Sequence, residues 1–164
     1  MSPYSGSPPG HPSRPAAGGA EWDLDTERKP VIMVIDDSPN IRTVVEASFR
    51  RFGLQVFPYV DGLAAMQAIT RGEVNIPDVL ILDIGLPRMN GYEVARIFHE
   101  HPQCQNMALV MLTGRDGMVD RMRSRLVGAR TYVKKPFRPT DLVREVFRIL
   151  GYNVPGFTDA PISG

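Results

Sequence analysis

The residues of this 164-residue chain whose types could do chemistry stand at the carboxyl ends of short apolar runs. Asp36 and Asp37 follow VIMVI, Asp83 follows DVLIL, Thr113 follows MALVML and Lys135 follows TYVK. If those runs are neighbouring strands, three carboxylates, a hydroxyl and an ammonium converge in one cleft. Crowded carboxylates repel one another and raise their own pKa values unless a cation neutralises them. Oxygen-only ligands, with no His or Cys beside them, favour a hard ion such as Mg²⁺. A carboxylate beside such an ion, an ammonium and a hydroxyl suits a phosphoryl group, whose charge spreads over its equatorial oxygens in the transition state. These residue types therefore point to phosphoryl chemistry at a carboxylate.

Taken singly, each residue has a plainer reading. A lone Asp at a strand end is usually a helix cap or a turn residue. Thr113-Gly114 is a turn signal, and Lys135-Pro136 marks a strand end. The pair Asp36-Asp37 resists that reading, because Ser38 already supplies a cap. The simultaneous placement at four strand ends outweighs the plain alternatives.

The elements that must position these residues follow from periodicity. Val31 to Ile35, Asp78 to Leu82 and Met107 to Leu112 are continuous apolar runs, as strands buried on both faces are. Leu54 to Pro58 and Thr131 to Lys134 read as two further, weaker strands. Between them, Ser38-Pro39 opens a helix carrying Ile41, Val44, Val45, Phe49 and Phe52 at helical spacing, with Gly53 as its stop. Asp61 to Arg71 is a second helix, with Leu63, Met66 and Ile69 expected inward and Gly72 ending it. Tyr92 to His101, Met118 to Val127 and Thr140 to Leu150 are three more. Strands alternating with helices imply an α/β fold with a doubly wound parallel sheet and right-handed crossovers, whose ligands bind at the carboxyl ends of the strands.

Composition bounds the rest. With 43% hydrophobic and 23% charged residues the chain can bury a core, and Lys+Arg 19 against Asp+Glu 18 argues against nucleic-acid binding by bulk charge. No apolar run approaches the roughly 20 residues needed to cross a bilayer. The one cysteine, Cys104, forms no internal disulfide, which suits a reducing, cytoplasmic setting. Residues 1–29 are expected to be a disordered Pro/Gly/Ser-rich tail and linker, 30–150 the domain, and 151–164 a second tail. The only tryptophan, Trp22, falls in the first of these, where a linker role is favoured over docking. His99 and His101, two apart on a helix, face different ways and make no metal site.

The segments VIDDS (Val34 to Ser38), LDIGLPRMNGYE (Leu82 to Glu93), MLTGRDG (Met111 to Gly117) and GARTYVKKPF (Gly128 to Phe137) resemble the receiver domain of two-component response regulators, of the single-domain chemotaxis type. RDGMVDRMRSRLVGA adds a narrower likeness to regulators of twitching and gliding motility. The resemblance implies a flavodoxin-like (βα)5 fold with strand order 2-1-3-4-5. It implies that Asp83 is the phospho-acceptor, taking a phosphoryl group from the phosphohistidine of a sensor histidine kinase. It further implies Mg²⁺ held by Asp36, Asp37, Asp83 and the backbone carbonyl of Gly85, with Lys135 pairing the phosphoryl oxygens and the carboxylates. Thr113 and Tyr132 become the switch residues, and the region from Met118 to Leu150 presents a changed surface to a downstream effector protein. Such a domain is a signalling switch that assists its own phosphorylation and dephosphorylation rather than an enzyme on a separate substrate. Direct nucleic-acid and membrane contacts are not implied, and dimerisation of the activated form is left open. In the family the Lys135-Pro136 bond is cis.

Departures from the family pattern are Gly85 two residues after Asp83, Arg115 two after Thr113, and Arg130 where an acidic residue is common. With Arg121, Arg123 and Arg125, Arg130 makes the readout face basic, which reads as a solvated helix face before a docking patch. Other classes fit less well. A dinucleotide enzyme would carry G-x-G-x-x-G where Asp36-Asp37-Ser38-Pro39 stands, and an aspartate-nucleophile phosphatase would carry Asp at Gly85. A DNA-binding regulator would need an output module for which the 14 residues after Leu150 are too few. A receiver-like adaptor that works without phosphorylation is the remaining alternative.

Overall fold

The fold is a five-stranded parallel sheet in the order β2-β1-β3-β4-β5. The structure, a computed structural model, describes residues 28–114 and 128–152. Its strands are β1 (Val31–Ile35), β2 (Gln55–Tyr59), β3 (Val79–Asp83), β4 (Ala108–Thr113) and β5 (Ala129–Lys134). Helices α1 (Pro39–Arg50), α2 (Gly62–Thr70), α3 (Gly91–Glu100) and α4 (Pro139–Leu150) complete it, with a 3-10 turn at Pro102–Cys104. The sequence-based order is therefore the observed one. The expected helix over Met118–Val127, the outer tails, Trp22, Arg115, Arg121, Arg123 and Arg125 lie outside the described residues.

Alternation along the central strands splits the core in two. Ile32, Val34, Val79, Ile81, Val110 and Leu112 face Val45 and Phe49 of α1 and Leu142, Val146 and Phe147 of α4. Phe147 of α4 meets Phe49 of α1 with ring centroids 6.5 Å apart and stands edge-on to Phe52, just beyond α1, at 5.3 Å. Met33, Ile35, Leu80, Leu82 and Met111 face Ala65 and Ile69 of α2 and Val94, Ala95 and Phe98 of α3. Side chains on both faces explain why the central strands read as unbroken apolar runs.

Three helices start where a side chain caps them. Ser38, Asp61 and Asn90 accept from the backbone N–H groups of Ile41, Ala64 and Glu93 respectively. These caps also set helical phase, and there two expectations fail. Leu63 is 63% exposed, and the inward face of α2 is Gly62, Ala65, Ala68 and Ile69 instead. A β-carbon at Gly62 would stand 2.6 Å from Val94 Cγ2, so α2 approaches α3 through its smallest residue and Leu63, one position on, turns outward. Val44 is likewise exposed, while Val45 and Phe49 carry the buried face of α1.

Strand β2 runs one residue later than expected at each end, and β5 begins at Ala129 rather than Thr131. At the far end, Gly151 caps α4 and Tyr152 packs against the first core cluster, donating its N–H to Phe147 at 2.9 Å. Arg28 likewise engages the domain, its guanidinium 2.9 Å from Asp78. Asp78 also exchanges backbone bonds with Val31 and Ala108 and accepts the Val31 N–H on its carboxylate at 2.7 Å. It thereby ties β1, β3 and β4 together at their amino ends. No helix among the described residues is long and apolar enough to cross a membrane.

Candidate functional site

The parallel register brings the chemistry-bearing residues level. Ile35 pairs with Leu82, Leu82 with Met111 and Met111 with Tyr132. One residue further on, Asp36 follows β1, Asp83 ends the adjacent β3, and Thr113 pairs with Lys134 just before Lys135. Each strand of a parallel sheet must hand its chain to a loop at this edge, so it is the one place where polar side chains from several strands can meet.

Asp36 is fully buried and held at every polar position. Its N–H donates to the Tyr59 carbonyl, and its own carbonyl accepts from Arg42 Nη1 at 2.7 Å. Its Oδ1 accepts the Ser38 N–H at 2.9 Å and its Oδ2 the Lys135 ammonium at 2.8 Å. Asp37, beside it, is exposed, and its side chain makes no hydrogen bond among the described residues. Asp83 is buried, with Oδ1 accepting the Gly85 N–H at 2.9 Å and Oδ2 lying 3.3 Å from Lys135 Nζ. One oxygen from each of Asp36, Asp37 and Asp83 lies within 4.8 Å of the others.

Burial is the largest influence on the Asp83 carboxyl and raises its pKa above the ordinary carboxylate value. The Gly85 N–H opposes this, the Asp36 charge adds to it, and Lys135 opposes it. Burial pulls Lys135 downward, but its two carboxylate partners together outweigh that and hold it above the usual lysine value. Lys135 therefore stays charged and bridges two carboxylates that would otherwise repel. A single ammonium cannot neutralise three carboxylates, and Asp37 faces outward with its oxygen still near the other two. Such an all-oxygen donor set of hard carboxylates fits a divalent cation of the Mg²⁺ kind.

Thr113 is buried at the end of β4, and its carbonyl accepts the Lys135 N–H at 2.6 Å. Tyr132 lies one row back, half-buried against the second core cluster. Gly85 is exposed; a β-carbon there would meet only Asp83 Oδ1, at 3.6 Å. Gly91 closes the loop after Asp83 by donating to the Ile84 carbonyl, and Arg88 within that loop takes a positive φ of 68°. The Lys135-Pro136 bond is cis. The structure thus gathers Asp36, Asp37, Asp83 and Lys135 into one pocket, ties Thr113 to it by the main chain, and sets Tyr132 behind it. Arg42 was not expected here. An arginine on an exposed-looking helix turn reads as solvated, and only its place near the start of α1, six residues after Asp36, hints otherwise.

Residues 32–147 match the response regulator receiver domain family. The chain is 31% identical over 127 residues to Protein PilG of Pseudomonas aeruginosa, covering 77% of this chain and 89% of that one. It is 29% identical over 107 residues to Sensor histidine kinase CheAY of Helicobacter pylori, covering 65% of this chain and 13% of that one. The crystal structure of chemotaxis protein CheY4 of Vibrio cholerae superposes with a TM-score of 0.67 at 26% identity, covering 74% of this chain and 99% of that one. Two further relatives are matched over about half of their own length.

Proposed function

The chain belongs to the response regulator receiver domain family, and from that premise we propose that it is a receiver whose Asp83 accepts a phosphoryl group from the phosphohistidine of a sensor histidine kinase. The observation that carries this reading is the Lys135 ammonium, 2.8 Å from Asp36 and 3.3 Å from Asp83. It leaves Asp83 both buried and paired with a cation, so that an ionised carboxylate is available as nucleophile.

In the transfer, an Asp83 carboxylate oxygen attacks phosphorus, the new P–O bond forms as the donor P–N bond breaks, and the histidine leaves as the neutral imidazole after taking a proton. Asp36, Asp37, Asp83 and the Gly85 carbonyl would hold Mg²⁺, which when bound supplies positive charge against the phosphoryl oxygens. Lys135, just beyond the end of β5, supplies a further positive charge. Exposed Gly85 places no side chain over the acceptor, which favours access by a donor. Thr113, tied to Lys135 through the main chain, and Tyr132 behind it are the residues that would reposition after transfer and alter the surface running to Leu150 for an effector protein. The similarity to Sensor histidine kinase CheAY supports a two-component setting, and that to Protein PilG and CheY4 supports a motility-type regulator.

The test is incubation with acetyl phosphate or phosphoramidate, with and without Mg²⁺, followed by intact mass, with Asp83→Asn alongside. One phosphoryl mass gained only with Mg²⁺ and only in the parent chain is the expected result. No gain from these donors or from a cognate kinase overturns the reading in favour of a phosphorylation-independent adaptor.

A further inference from the structure

We propose that Arg42 is a positioning residue for the acidic pocket: by holding the main-chain carbonyl of Asp36, it fixes the Asp36–Asp37 peptide and so the direction in which the Asp37 carboxylate is presented. This rests on the reading of that pocket as a divalent-cation site.

The argument starts from the contrast between the two neighbours. Asp36 is anchored through its N–H, carbonyl and both carboxylate oxygens. Asp37 is exposed and has no side-chain hydrogen bond among the described residues, yet one of its oxygens stays within 4.8 Å of the Asp36 and Asp83 carboxylates. Something other than a side-chain partner must keep it there. The peptide joining the two residues is planar, so fixing the orientation of its carbonyl fixes the start of Asp37 as well. The donor at that carbonyl is Arg42 Nη1, at 2.7 Å.

The placement of Arg42 is otherwise unfavourable. It stands in the N-terminal part of α1, where its N–H bonds to the carbonyl of the cap Ser38, and a cation there opposes the helix macrodipole. Helix α1 has no acidic residue in its first turn to offset it. Half-buried over the end of β1, Arg42 is instead compensated by the acidic loop that it holds. A charge-assisted bond from a planar guanidinium is stronger and more directional than one from water.

The experiment is Mg²⁺ titration by calorimetry on the parent chain, Arg42→Ala and Arg42→Lys, with thermal unfolding of each and phosphorylation rates from acetyl phosphate across Mg²⁺ concentrations. Removing a residue that orients a ligand weakens metal binding by about 10-fold or more. Arg42→Ala is expected to show that loss while its phosphorylation rate returns to within about twofold of the parent at saturating Mg²⁺. Arg42→Lys, able to keep one bond to the carbonyl, is expected to recover most of the affinity, and it carries the test alone if Arg42→Ala does not fold. Parent-like Mg²⁺ affinity in a folded Arg42→Ala, or equal loss in both variants, overturns the role of Arg42 and leaves the pocket reading intact. A parent chain that binds no Mg²⁺ overturns both.

Discussion

Gly91 lies so close to the main chain of Asp83 that a β-carbon at position 91 would stand 2.4 Å from the Asp83 carbonyl oxygen and 2.7 Å from the Ile84 Cα. Both neighbours are backbone and cannot swing aside. Gly91→Ala must therefore move either the start of α3 or the acceptor strand, at a cost of about 3 kcal/mol. Thermal unfolding reads the loss. If the domain shifts β3 instead of melting, phosphorylation of Asp83 falls while Tm holds. A variant with both properties unchanged would refute the close approach.

The raised pKa of Asp83 makes a signed prediction for stability in metal-free buffer. A carboxyl whose folded-state pKa is raised contributes stability that is fully present below its unfolded value, near 3.8, and is lost as pH rises through the folded value. At neutral pH the ionised, buried Asp83 is thus a burden on the fold. Asp83→Asn is expected to unfold at a temperature roughly 2–4 °C higher than the parent at pH 7. The gain should shrink towards pH 4. A constant gain across that range would show that charge is not its origin.

Asp78 joins Val31, Ala108 and Arg28 at the amino ends of the strands. Truncating it strands the Val31 N–H in a buried setting and removes the pairing with Arg28, so Asp78→Ala should cost about 3 kcal/mol. Arg28→Ala should cost well under about 1 kcal/mol, because Arg28 is 38% exposed and solvent takes its place. Denaturant titration separates the two. Equal losses would mean that the ion pair, and not the bond to the strand, is what Asp78 contributes.

Legibility in the sequence followed burial. Strands β1, β3 and β4 were plain because both their faces are covered and their apolar runs are continuous, which fixed where Asp36, Asp83 and Thr113 must emerge. Edge strand β2, with Pro58 inside it and only Val56 fully buried, left its limits blurred by a residue. Leu63 misled because bulk suggests the core, whereas the Asp61 cap and the contact of Gly62 with Val94 set the phase of α2. Arg42 and Asp78 act through main-chain atoms of residues near or far in sequence, and no pattern of side-chain types announces such a bond.

Cys104 offers a test of the second core cluster away from the acidic pocket. Burial pushes its thiol up to about 11. At pH 8 only about a thousandth of it is then thiolate, the nucleophilic form. Alkylation by iodoacetamide should run about 100-fold slower in the native protein than in urea. Comparable rates would mean that the 3-10 turn carrying Cys104 opens readily.

The sheet is bound like a book along one edge. At the spine, Asp78 stitches three strands together with bonds that leave nothing over for chemistry. At the fore-edge the pages fall open, and apart from the close approach of Gly91 what is written there can change without loosening the binding. Side chains exposed in the loops after β1, β3 and β5, such as Asp37, can be exchanged there while the thread through Asp78 keeps the volume whole.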